Sequence, residues 1–195
     1  MRYFTADWHL NEKCAPNTHT FLRPFNFNDK LPDNLIWPDF DDITEFWFLG
    51  DMAVDLDGLK YGCEWVDKHI KCPKFFLYGD KELNNKNFTE EEAEEIITEY
   101  FDSASLMDYI PFEYDGKLIN LYATHLPQDL KHESYNGLVG HIHGTSRVQK
   151  TKDGRALINV GIDAWSMQVV SAEKITHQLN AVLKGYYDNN IFLDF

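Results

Sequence analysis

Three short apolar runs punctuate the first 80 residues, at 3–6 (Tyr-Phe-Thr-Ala), 46–49 (Phe-Trp-Phe-Leu) and 75–78 (Phe-Phe-Leu-Tyr). Each is aromatic-rich and too short for a helix, so each predicts a buried strand. Between the last two, residues 56–70 predict a helix with Tyr61, Trp65 and His69 on one stripe. A second helix is predicted over 89–101, where Thr89 and Glu92 form a capping box and Ala93, Ile96, Ile97 and Tyr100 form the apolar face. Its glutamates predict a solvated face. Residues 118–124 predict a strand ending at His125, and 138–140 a short strand running into His141. Lys152-Asp153-Gly154-Arg155 is a turn signal before a strand at 156–160, a hairpin-like arrangement. Residues 172–184 read as helical or mixed, and the tail from 186 to 195 is aromatic and acidic. The stretch 11–44, with Pro16, Pro24, Pro32 and Pro38, predicts a functional loop or a partly helical one. Strands alternating with helices predict an α/β fold, and 195 residues without a linker predict a single domain, 1–195.

Charge narrows the partners. Thirty-two acids against 18 bases give a formal net charge of -14, which argues against tight duplex nucleic-acid binding. A small phosphoester or nucleotide stays compatible, because bound divalent ions reverse the field locally. No apolar stretch reaches the roughly 18 residues of a membrane span. The N-terminus runs straight into a strand without a signal-peptide pattern. Cys14, Cys63 and Cys72 are odd in number and lack zinc spacing, which predicts reduced thiols in a cytoplasmic protein.

The candidate chemistry lies at the ends of the apolar runs. Asp7 and His9 follow the first, Asp51 the second and Asp80 the third; His125, His141 and His143 follow the later strands. Ligands at strand ends are what an α/β site offers. Asp7-Trp8-His9 and His141-Ile142-His143 each place two side chains on one side of an extended or tight segment. Gly50 and Gly79 permit the close backbone approach that crowded ligands need. Carboxylate oxygens with imidazole nitrogens suit Mn, Fe, Zn, Ni or Co, with Mn first, better than Mg or Ca. Seven ligands exceed one tetrahedral site and fit two adjacent ions sharing a carboxylate. Such a pair activates water and neutralises charge in phosphoester hydrolysis.

Taken in order, these segments resemble the calcineurin-like metallophosphoesterases. The motifs are Asp7-Trp8-His9, Gly50-Asp51-Met52-Ala53-Val54-Asp55, Gly79-Asp80-Lys81-Glu82, Thr124-His125 and Gly140-His141-Ile142-His143. Arg23-Pro24-Phe25 and the segment from Asn159 to Trp165 resemble a small branch common in bacteria and phages, so the host cytoplasm is the expected location. The resemblance implies four layers, with two mixed sheets packed together and helices outside. It implies one ion at Asp7, His9, Asp51 and His143, and another at Asp51, Asp80, His125 and His141. It also implies catalysis through a metal-bridging hydroxide, with Asp51, Lys81 and His125 in catalytic roles.

The third motif departs from the family's Gly-Asn-His. Asp80 supplies the oxygen that the Asn would give, while Lys81 replaces the His. The formal charges of that exchange offset each other, so Lys81 is expected to clamp phosphate electrostatically or, alternatively, to point away and pair with Glu82 or another acid. Loss of the His favours a phosphodiesterase acting on a nucleotide or cyclic-nucleotide diester. A phosphomonoesterase or protein phosphatase, and a catalytically weak metal-binding scaffold, stand as alternatives. Arg23 is a candidate substrate contact or a loop anchor. Asp55 either orients a histidine or starts a helix, Trp8 packs beside the metal, His19 is expected in solvent, and Asp163 and Trp165 brace the last ligands.

Overall fold

A computed structural model of the chain describes residues 1–14, 18, 20, 22–24, 26–132 and 135–186, with the backbone alone for 131 and 132. His19, Phe25 and residues 187–195 of the tail lie outside the described residues. The strands are β1 (Arg2–Thr5), β2 (Glu45–Leu49), β3 (Lys74–Leu77), β4 (Ser103–Ser105), β5 (Met107–Tyr114), β6 (Lys117–Thr124), β7 (Asn136–Val139), β8 (Val148–Lys150), β9 (Ala156–Asn159) and β10 (Val170–Ser171). The α-helices are α1 (Leu31–Asn34), α2 (Leu56–His69), α3 (Asp80–Leu83), α4 (Glu90–Tyr100) and α5 (Ala172–Leu183).

The strands form two five-stranded mixed sheets, ordered β10-β1-β2-β3-β4 and β5-β6-β7-β9-β8. In the first sheet β1 to β4 are parallel and β10 is antiparallel. In the second, β6, β7 and β9 are parallel to one another, with antiparallel edges β5 and β8. The aromatic runs of β2 and β3 are continuous because both faces of the first sheet are covered. Phe46, Phe48 and Phe76 point to the layer of α2 and α4. Phe4, Trp47, Leu49 and Leu77 point the other way and meet Ile110, Phe112, Leu121, Leu138 and Ile158 of the second sheet. Each fully buried side chain of that size contributes about 1.5–3 kcal/mol of transfer free energy. Ile175, Leu179 and Val182 of α5 join the same inter-sheet core. The far face of the second sheet is covered more thinly among the described residues, by Leu130 of the 3-10 segment Pro127–His132 on Tyr122, Val139 and Leu157.

The helix signals hold where caps and apolar stripes agree. The Thr89 hydroxyl accepts from the Glu92 amide at 3.3 Å, and the Glu92 carboxylate accepts from the Thr89 amide at 2.8 Å. Asp55 caps α2, accepting from the Gly58 amide at 2.8 Å and from Asn11 Nδ2 at 2.9 Å, so it starts a helix and orients no histidine. The stretch 11–44 is partly helical where described, with α1 between two 3-10 segments. Three strands were not predicted, β4, β5 and β10. The β5–β6 hairpin turns on Asp115-Gly116, both with positive φ (50° and 70°), a tight-turn signal visible in the sequence. Pro111 lies in β5, and β5 is an edge strand, which tolerates proline. Among the described residues no helix is long and apolar enough to cross a membrane.

Candidate metal centre

Every strand that points at the site does so with its C-terminal end. β1, β2 and β3 deliver Asp7 and His9, Asp51, and Asp80, while β6 and β7 deliver His125, and His141 with His143. Two groups of donor atoms result: Asp7, His9 and His143, and Asp51, His125 and His141, each within 4.8 Å of one another. Asp51 touches both groups. Its Oδ2 lies 3.3 Å from His9 Nε2 and its Oδ1 lies 3.4 Å from His125 Nε2. Asp80 stands at the rim, with its Oδ2 3.4 Å from His141 Nδ1. All seven predicted ligands are therefore gathered in one place, Asp80 more loosely than the rest.

The means of presentation differs from simple strand alternation. Asp7 (φ 60°), His9 (51°), Asp51 (59°), His141 (66°) and His143 (45°) all occupy the left-handed region. Asp and His are among the few L-residues that tolerate it, and local strain of this kind clusters at functional sites. The kinks turn the chain out of the sheet while parallel pairing continues beyond the strand ends. Asp7 N–H donates to Gly50 O at 3.0 Å and His9 N–H to Asp51 O at 3.0 Å. Gly50 (φ 80°) is required twice over, because a Cβ there would lie 2.6 Å from His125 Nδ1 and 2.7 Å from Gly79 Cα. A Cβ on Gly79 would lie 2.5 Å from Asp51 Oδ1.

The imidazoles are fixed from behind. His125 Nδ1 lies 2.7 Å from Leu49 O; a carbonyl only accepts, so Nδ1 carries the proton and Nε2 faces the cluster. His143 Nδ1 lies 2.8 Å from Asp163 Oδ2, and His9 Nδ1 lies 3.3 Å from Glu12 Oε2. Carboxylate or carbonyl support at the far nitrogen is the usual arrangement behind metal-ligating histidines. Asp7 Oδ1 accepts from the His141 amide at 2.9 Å, whereas Asp7 Oδ2 is buried without a hydrogen bond. Buried polar atoms left in this state are costly unless something else satisfies them. A cation among these oxygen and nitrogen donors does so, and the residues fit a metal ion.

The charges point the same way. Burial pushes the Asp51 carboxyl up, but hydrogen bonds and charge from His125 and His9 outweigh it and hold it well below the usual range. Burial lowers His125, and Asp51 overrides it, pushing the imidazole up to about 10. His141 is lowered by burial and by the charge of His125. Without an ion, the carboxylates thus favour protonation of His125 and His9 but not of His141.

Several supporting residues carried no recognisable sequence signal or a misread one. Glu82, completely buried, accepts the amides of Gly79 (2.8 Å), Asp51 (2.9 Å) and Met52 (2.8 Å). It therefore knits the two Gly-Asp turns together and does not pair with Lys81. Burial and the charge of Asp51 raise it to about 7. Its only visible signal is its place three residues after Gly79. Glu12 and Asn159 hold neighbouring segments, Asn159 Nδ2 donating to His143 O at 2.7 Å. Lys81 gives its backbone N–H to Asp51 Oδ1 at 2.8 Å, and its ammonium is near enough to help lower Glu12. Trp8 is fully buried, bonded to Thr5 Oγ1 at 2.8 Å, and belongs to the core. His69 stacks on Trp65 at 4.0 Å, away from the site. Arg23 corrects the expectation of a substrate contact: it is buried, and all five of its N–H groups are used inside the protein.

No protein-family model matches the sequence, and no curated protein matches it. Among solved structures the chain is similar to the protein of unknown function AQ665 from Aquifex aeolicus, at 17% identity and a TM-score of 0.60, over 91% of this chain and 98% of that one. At that identity the likeness bears on architecture alone, and the chain has an α/β fold of two mixed sheets flanked by helices.

Proposed function

We propose that the protein is a metal-dependent phosphoester hydrolase, acting on a phosphodiester of the nucleotide or cyclic-nucleotide type. The observation that carries the reading is the pair of Asp/His donor groups joined through the two oxygens of Asp51. Oxygen and imidazole donors without thiolate suit Mn²⁺ first, with Fe, Zn, Ni or Co as alternatives. Two such ions, when bound, activate water and neutralise the charge that builds up on a phosphoryl group in in-line displacement. The chain's own part is to hold His9, His125 and His143 in one tautomer with Nε2 inward, and to keep Asp51 ionised between the groups. Lys81, whose charge reaches Glu12, is the cation assigned to a phosphate oxygen in this reading. With Arg23 committed internally, this modest positive charge suits the single charge of a diester better than the double charge of a monoester.

The test is hydrolysis of bis-p-nitrophenyl phosphate against p-nitrophenyl phosphate in Mn²⁺. The diester is expected to be preferred, Lys81→Ala to slow its turnover, and Asp51→Asn to cut it by at least about 10³-fold, the scale lost with a preorganised charge-stabilising group. Full activity or retention of both ions in Asp51→Asn contradicts the reading.

A further inference from the structure

Arg23 and Asp163 are 140 positions apart and form a two-pronged ion pair in which the arginine is buried and the aspartate partly so. Arg23 Nε donates to Asp163 Oδ1 at 2.9 Å and Nη2 to Oδ2 at 2.7 Å. The other N–H groups of the guanidinium reach Trp8 O (2.7 Å), Asn28 Oδ1 (2.9 Å) and Asp7 O (2.6 Å). Asp163 Oδ2 also accepts from His143 Nδ1 at 2.8 Å. One ion pair therefore ties the strained Asp7-Trp8 turn to the ring of His143. Those segments supply Asp7, His9 and His143, one complete donor group.

The second donor group is supported by different means. His125 leans on Leu49 O, and Asp51 is fixed by the Lys81 amide and, through its own N–H, by Glu82. None of these contacts involves Arg23 or Asp163. We infer that Arg23 and Asp163 are positioning residues for the Asp7–His9–His143 ion position, a support from behind that the other position does not share. The inference rests on the metal-dependent reading above. Its physical basis is that a carboxylate behind a histidine fixes ring orientation and raises ligand basicity, an effect of about 10–100-fold in affinity. The planar fork of arginine holds two carbonyls and a carboxylate at once, which a lysine ammonium cannot reproduce.

The experiment is a calorimetric titration of Mn²⁺ into wild type, Asp163→Asn and Arg23→Lys, with electron paramagnetic resonance to separate coupled ion pairs from isolated ions. Wild type is expected to take two ions and show a coupled signal. Each variant is expected to keep one position at wild-type affinity and weaken the other about 10–100-fold, giving an isolated-ion signal at limiting Mn²⁺. Asp163→Asn added to His143→Ala is expected to cause little further loss, since it acts through that histidine. Arg23→Lys keeps the buried charge balanced and guards against Asp163→Asn failing to fold. Equal weakening of both positions, or of neither, in a variant with a native circular-dichroism spectrum overturns the inference while leaving the hydrolase reading intact. A wild type that takes no Mn²⁺ overturns both.

Discussion

The two sheets make unequal contributions to the candidate centre. The first supplies all three aspartates, Asp7, Asp51 and Asp80, with His9; the second supplies His125, His141, His143 and the supporting Asp163. The acid-bearing sheet is parallel from β1 to β4 and buried on both faces, whereas the histidine-bearing one is thinly covered outside. Neither sheet holds a complete donor group. Both groups combine an aspartate from one sheet with a histidine from the other, so the centre reports on the packing between the sheets. The inter-sheet core sets how far apart charge and imidazole stand, and that spacing decides whether an ion fits.

The most forceful way to break this division is to loosen the inter-sheet core. Phe4 is fully buried and packs against Phe112 at 5.8 Å between centroids. Phe4→Ala is expected to cost about 3–5 kcal/mol in denaturant unfolding and to weaken Mn²⁺ binding at both positions. Ile97→Ala, under the helix layer, costs about 2–5 kcal/mol but leaves Mn²⁺ affinity of the folded protein unchanged. Equal Mn²⁺ affinities in the two variants contradict the link between sheet packing and the centre.

Metal itself is the next lever. Free Mn²⁺ at about 100 times its dissociation constant should stabilise the fold by about 2.7 kcal/mol per site, reversed by chelation. A melting temperature indifferent to both contradicts metal binding by the folded state. A smaller and more local probe is Gly161→Ala. A Cβ at Gly161, beyond β9, would run into the Asp7 carboxylate beyond β1. The expected cost is about 1–3 kcal/mol, with loss of affinity at the Asp7 position first. A silent Gly161→Ala shows that the sheets can yield without disturbing the site.

Acid should produce the gentlest effect, measured on metal-free protein. Burial pushes Glu12 up, but His9 and Thr20 pull it down further, to about 2. Burial likewise raises Asp163, and Arg23 and His143 overcome it, holding it well below the carboxylate range. Unfolded carboxyls titrate near about 4. Depressed folded values mean that the stabilisation is complete above that pH and is lost as pH falls toward 2. The melting temperature is expected to fall below pH 4, less steeply in Asp163→Asn. An unchanged slope in that variant removes the Arg23–Asp163 pair as a source of acid lability.

Legibility in the sequence followed physical simplicity. β1, β2 and β3 could be read because strands buried on both faces are written as unbroken apolar runs, and α4 because its cap and stripe agree. β5 escaped because it alternates with polar residues and contains Pro111, although the Asp115-Gly116 turn marks its end. The left-handed conformations of five candidate ligands could not be read, since φ is a product of the surrounding chain and Asp or His merely tolerates it. Arg23 shows the largest gap: in sequence it is a cation near a loop and equally suited to substrate or scaffold. Its commitment depends on a carboxylate 140 residues away.

By itself, the sequence determined the alternation of strands and helices, the identity of the donor atoms and their order at strand ends, because hydrophobic periodicity and ligand chemistry are local properties. The tertiary structure alone decided that aspartates of one sheet meet histidines of the other. It alone placed Asp51 between the two groups, made Glu82 and Arg23 internal supports, and turned five of the candidate ligands out of the extended region. Each of those outcomes depends on distances between segments far apart in the chain, and those distances are set by the packing of two sheets across a common core.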